Sequence, residues 1–142
     1  MRALALVVML ALVAALPARA QDSAARAVIA AQIEAFRAGD LPRAFGFASP
    51  VIQQKFGTPE IFGQMVETGY PMVWHPSEVV FLEARETAGR LWQEVFLRDA
   101  AGRGWIAEYE MIEADGALKI NGVRLREAPA PSVRAPGTVT VG

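Results

Sequence analysis

Residues Phe45 to Pro76 read FGFASPVIQQKFGTPEIFGQMVETGYPMVWHP, and the punctuation of this stretch decides the fold. Ser49-Pro50 and Thr58-Pro59 each pair a side chain that can accept from a helix's first free N–H groups with a proline at the first helical position, where its missing N–H is harmless. Gly57 and Gly69 stand where such helices would need a residue of positive φ to stop. The spacing predicts helices over Pro50–Phe56 and Pro59–Thr68. The aromatic, proline-bracketed segment Tyr70–Pro76 then reads as a loop that turns the chain into strands.

Upstream, Asp22–Ala38 carries Ala25, Ile29, Ile33 and Phe36 at helical spacing, with Arg26, Glu34 and Arg37 on other faces. Gly39 ends that helix, and Asp40 caps a short one over Leu41–Ala48, anchored by Phe45. Downstream the periodicity changes to that of strands: Glu78–Arg85, Arg90–Arg98, Gly104–Glu113 and Ala117–Arg126. Asp115-Gly116 is a type I′ hairpin signal, and Thr87–Gly89 and Asp99–Arg103 are the other turns. Helices followed by an antiparallel meander predict an α+β domain, with N-terminal helices packed on one face of a curved four-stranded antiparallel sheet.

The ends are expected to lie outside that domain. Arg2, the uncharged apolar run Ala3–Leu16 and the small-x-small sequence Ala18-Arg19-Ala20 read as a signal peptide over residues 1–20, cleaved before Gln21. The run is shorter than the ~20 residues a membrane span needs. The expected location is therefore the periplasm or outside the cell, with no membrane attachment after cleavage. There is no cysteine, hence no disulfide, thiolate or lipidated thiol. Residues 21–127 are read as one domain, and the Pro/Gly-rich residues 128–142 as a disordered tail. Without Arg2 and Arg19 the chain has 12 basic and 15 acidic residues. That balance has no basic footprint for nucleic acid.

The turns fix an expected register. Pairing Arg98 with Gly104 sets Leu97 by Trp105, Val95 by Ala107 and Gln93 by Tyr109. Pairing Ala114 with Ala117 sets Met111 by Ile120 and Tyr109 by Gly122. The inner face then carries Leu91, Gln93, Val95, Leu97, Trp105, Ala107, Tyr109, Met111, Leu118 and Ile120, with Arg124 at one end. The outer face carries Trp92, Phe96, Ile106, Val123 and Leu125. It also carries the like-charged row Glu94, Glu108 and Glu110, expected to be relieved by Arg90, Arg98 and Lys119.

At these residues the chain resembles a bacterial secreted domain-of-unknown-function family (DUF4864 type) of the nuclear transport factor 2-like superfold. Phe47-Ala-Ser-Pro50, Phe56-Gly57, Phe62, Met65-Val66, Gly69-Tyr70-Pro71 and Gly122 carry the resemblance, which spans nearly all of Ala25–Leu125. The resembled pattern places a cysteine after the last glycine; here it is Val123. The resemblance implies a cone-shaped fold with a cavity between helices and sheet, and it implies no chemistry. Relatives on such a superfold include enzymes and plain binding modules.

Candidate site residues follow. Gln93, Tyr109 and Arg124, with Trp105 nearby, are expected to be the polar and aromatic groups of a pocket completed by Phe36, Phe62 and Met65. An arginine in an apolar pocket suits a small apolar acid, whose carboxylate it can grip with two hydrogen bonds. Tyr70 and Trp74, with His75, are read as a lid or plug at the mouth. His75 is the only histidine and has no histidine or cysteine to join it in a metal site, and no serine lies in a G-x-S-x-G turn. No catalytic residue, metal ligand or cofactor is therefore assigned. Two functions remain: a non-catalytic module binding a small apolar ligand or a protein partner, and a small lyase, isomerase or hydrolase using the cavity. Trp92, Phe96, Ile106 and Val123 are expected to form a homodimer face.

Overall fold

A computed structural model describes residues 18–130. The described residues form five helices and four strands in the order α1 (Ala18–Arg37), α2 (Leu41–Gly46), α3 (Pro50–Phe56), α4 (Pro59–Gly69), α5 (Pro71–Trp74), β1 (Glu78–Thr87), β2 (Arg90–Arg98), β3 (Gly104–Ala114) and β4 (Ala117–Glu127). The strands make one antiparallel sheet in sequence order, an α+β architecture with an open four-stranded sheet. Most of residues 1–20, and the tail from 131 onward, lie outside the described residues.

The caps do what their sequence implies. Asp40 accepts from the N–H of Arg43, Ser49 from that of Ile52 and Thr58 from that of Ile61. Gly57 ends α3 at φ +79°, a conformation that any side chain would strain. Gly69 behaves otherwise. It is the last residue of α4 and lacks a positive φ, so its expected left-handed stop is wrong. The helix is stopped instead by Pro71, whose ring drives the preceding residue out of the helical region; Tyr70 sits at φ −137°, ψ 55°. A Cβ on Gly69 would meet nothing, so the position carries no strain to lose.

Two further boundaries depart from expectation. Helix α1 already includes Ala18-Arg19-Ala20, where the described residues begin, upstream of the expected Asp22; these are strong helix formers with no stop signal before Asp22. The segment read as a loop contains the single turn α5, for which Pro71 is a first-turn proline.

The register of β2 and β3 is as the turns predict, from Arg98 opposite Gly104 to Leu91 opposite Met111. Both two-residue turns have consecutive positive φ values, at Ala88-Gly89 and Asp115-Gly116, as type I′ geometry requires. In β4 the prediction holds only from Ala117 to Ile120. There Met111 pairs with Ile120, but Glu110 pairs with Gly122, leaving Asn121 as an extra residue in a bulge. One inserted residue inverts the facing of everything beyond it. Tyr109 consequently lies opposite Val123, not Gly122. Val123 and Leu125 pack against the core, while Arg124 is exposed on the outer face.

The core lies between the inner sheet face and the helices. Ile29, Ile33 and Phe36 of α1 and Phe62 and Val66 of α4 join Val95, Leu97, Ala107, Tyr109, Met111 and Ile120. A second attachment is made by backbone alone. Ser49 N donates to Ile120 O and Ile120 N donates to Phe47 O, so the α2–α3 junction is clipped to β4 beside the bulge. This clip positions the cavity described next.

Candidate functional site

A cavity of about 270 Å³ lies between the helices and β4. Phe36 and Gln32 reach it from α1, at the turn that faces α4. Phe62, Met65 and Val66 line it from α4, which presents them at i, i+3 and i+4 on one face. Tyr70 and Val73 close the α5 side, and Ile120 to Val123 supply the sheet side. Helix α3 adds Ile52, Lys55 and Phe56, yet none of its residues is fully buried. It covers the cavity without being part of the core.

The bulge makes the sheet side unusual. Ser49, fully buried, donates its hydroxyl to Asn121 Oδ1 at 2.7 Å while accepting from Ile52 N. Asn121 Nδ2 donates to Glu110 Oε1 at 3.1 Å, and Arg90 pairs with the same carboxylate. A polar chain thus runs from the cap of α3 through the bulge to the outer face. Both ends of the Asn121 amide are committed to it. Gln32, 3% exposed, donates its Nε2 to Ala44 O. Among the described residues Lys55 is the one charged residue of the lining, and no carboxylate lies within ion-pair distance of it. Its ammonium sits 5.5 Å from the ring centre of Phe56, against an aromatic wall of the cavity. Among the described residues the lining holds no aspartate, glutamate, histidine, serine or cysteine.

Of the residues proposed from sequence for binding, the structure places Tyr70 in this lining, together with the expected Phe36, Phe62 and Met65. Trp74 stands one layer behind, stacked on Phe36 at 5.4 Å between ring centres. His75 is exposed and edge-on to Trp74. The other four are elsewhere. Arg124 was expected inside; the bulge turns it outward, where its guanidinium lies 4.4 Å over the ring of Trp92. Trp105 is at the far end of the sheet, with Nε1 donating to Asp99 Oδ2 and Arg103 over its ring. That indole hydrogen bond, and then the N–H of Arg103, hold the Asp99 carboxyl below the usual aspartate value. Gln93 is fully buried and braces a second irregularity. Leu82 and Glu83 of β1 fall out of register, and Gln93 Nε2 donates to Leu82 O at 3.1 Å and Glu94 O at 2.8 Å. Tyr109 is buried beside it, and its hydroxyl has no protein partner among the described residues. Burial pushes its pKa well above the usual phenol value, so it keeps its proton and offers no base.

The expected dimer face divides in the same way. Trp92, Phe96 and Ile106 share the outer face, but Val123 does not. Trp92 and Ile106 are each only 7% exposed, and arginines lie over Trp92 and Phe96. Glu94 and Glu108 do face each other, as expected. They are relieved by Arg85, which reaches both, and by Arg126 on Glu94. Arg90 takes Glu110 as foreseen, whereas Arg98 goes to Glu78 and Lys119 to Gly46 O. Among the described residues no group of three or more histidine, cysteine, aspartate or glutamate side chains is gathered for a metal. Nor is any described helix long and apolar enough to cross a membrane.

Sequence reasoning missed Lys55 and Asn121. Ile52, Lys55 and Phe56 were legible as one side of α3, but nothing local says that this side meets β4. Asn121-Gly122 in mid-strand was a signal for a bulge.

A family model described as "Domain of unknown function (DUF4864)" matches residues 18–133. No curated protein and no solved structure matches the chain.

Proposed function

This chain belongs to the family described as Domain of unknown function (DUF4864), and we propose that it is a non-catalytic module that holds a small, largely apolar molecule between α1, α3, α4 and β4. The observation that carries this reading is the lining: aromatic and aliphatic side chains interrupted by few polar groups, the usual composition of a small-molecule pocket. The competing reading, a small lyase, isomerase or hydrolase, needs an acid–base pair at the ligand, and the described lining has no carboxylate or histidine to pair with Lys55 or Tyr70. Helices on one face of the sheet, with a cavity beneath them, support reading the architecture as a cone of the nuclear transport factor 2-like kind.

A neutral apolar dye such as Nile red tests the binding. Its emission should rise on mixing with the wild type and fall back towards the free-dye level with Met65→Trp, which fills the mouth from half-exposed α4. Equal emission with both proteins, or none with either, overturns the cavity as the site.

We also propose export, on the pattern Arg2, Ala3–Leu16 and Ala18-Arg19-Ala20. N-terminal sequencing of the chain from the native cell should begin at Gln21; a chain that retains Met1 would contradict it.

A further inference from the structure

We propose that the cavity selects anions, specifically a small amphipathic carboxylic acid whose apolar body enters between α1 and α4 while its carboxylate stays at the α3 edge with Lys55. This inference rests on the proposed function and adds the chemical class of the ligand.

Three observations converge on it. Lys55 is the only charged residue of the lining among the described residues, so the charge nearest a ligand there is positive. No carboxylate among the described residues lies within ion-pair distance of Lys55, whereas Arg37, Arg85, Arg90, Arg98, Arg103 and Arg126 each have at least one. The ammonium is also held by position. It lies 5.5 Å from the ring centre of Phe56, whose ring stacks in turn on Phe62, 5.9 Å away. A cation beside an apolar wall and exposed to solvent suits a head group that must stay hydrated while its tail is buried. A carboxylate taken deeper would lose its water with no donor to replace it. Phosphate monoesters fit less well, because one ammonium leaves their second charge unmatched. The exposed Arg124, which the sequence suggested for this role, is on the other side of the sheet.

The test compares octanoate, octanol and octylamine by calorimetry on wild type, Lys55→Gln and Lys55→Glu. Lys55 is exposed and bonded to nothing described, so these variants keep the fold. Wild type should bind octanoate about five- to tenfold more tightly than octanol, the range expected for a part-exposed charge-assisted contact. Lys55→Gln should remove that preference and leave octanol unchanged, and Lys55→Glu should favour octylamine. Equal affinity of wild type for octanoate and octanol, or a preference that survives Lys55→Gln, overturns the anion inference while leaving the cavity intact. If none of the three binds wild type, the cavity reading fails and the inference fails with it.

Discussion

Phe62→Ala is expected to lower the unfolding free energy by roughly 3–5 kcal/mol, the usual range for removing a buried aromatic ring. Phe62 is 5% exposed and stacks on three rings: Phe36 at 5.8 Å, Phe45 at 5.4 Å and Phe56 at 5.9 Å between centres. Through it α1, α2, α3 and α4 all touch. Its loss removes aromatic contacts worth about 0.5–1.5 kcal/mol each beyond simple burial. The vacated volume opens onto the cavity, so the surrounding side chains have little reason to collapse. Chemical denaturation measures the effect. A loss below about 1 kcal/mol would mean that the helical layer is not organised around this ring.

Ser49→Ala is the second large effect, at about 2–4 kcal/mol, because two separate costs meet there. The helix α3 loses its cap, worth typically ~1 kcal/mol. Asn121 Oδ1, half-buried, loses its only described donor to buried Ser49, which costs a further ~1–3 kcal/mol. Thr58→Ala is the internal control. Thr58 caps α4 by the same contact but is exposed and bonds nothing else described, so its loss should stay near 1 kcal/mol. Equal losses at the two positions in denaturant melts would show that the Ser49–Asn121 bond contributes nothing.

These two residues mark the boundary of what can be read locally. Ser49 and Thr58 announce themselves as caps because a cap is satisfied within three residues of chain. The same holds for Ala88-Gly89 and Asp115-Gly116, and for the β2–β3 register that the Asp99–Arg103 turn transmits strand-wide. The error at Arg124 and Val123 has one source. Period-two reading carries a face assignment along a strand only while no residue is inserted, and Asn121 is inserted. The Gly69 error is similar in kind: two neighbouring signals, a glycine and a proline, could each stop α4, and the proline does so. Gln93 reads as a pocket residue because a few polar groups on an apolar face are how small-molecule pockets are lined. Its Nε2 is instead taken by the carbonyls of Leu82 and Glu94, while its buried Oε1 has no partner among the described residues.

The cavity itself was only half legible. Phe36, Phe62 and Met65 follow from the helical periodicity of α1 and α4. Lys55 does not, because its place depends on the backbone clip of Ser49 to Ile120, a contact across 71 residues of chain. The resulting site has a different cation, on a different element, from the one that the strand pattern offered.

The most direct test of the account is a methyl-resolved NMR titration with octanoate, which reports where a ligand sits. Shifts should concentrate on Ile52, Val66, Val73, Ile120 and Val123, which line the cavity from α3, α4, α5 and β4. Ile106 on the outer face, and Ile112 and Leu118 beside the β3–β4 hairpin and outside the lining, should stay unmoved. Shifts confined to those last three residues, or none anywhere, would contradict the claim that this cavity is where the protein binds.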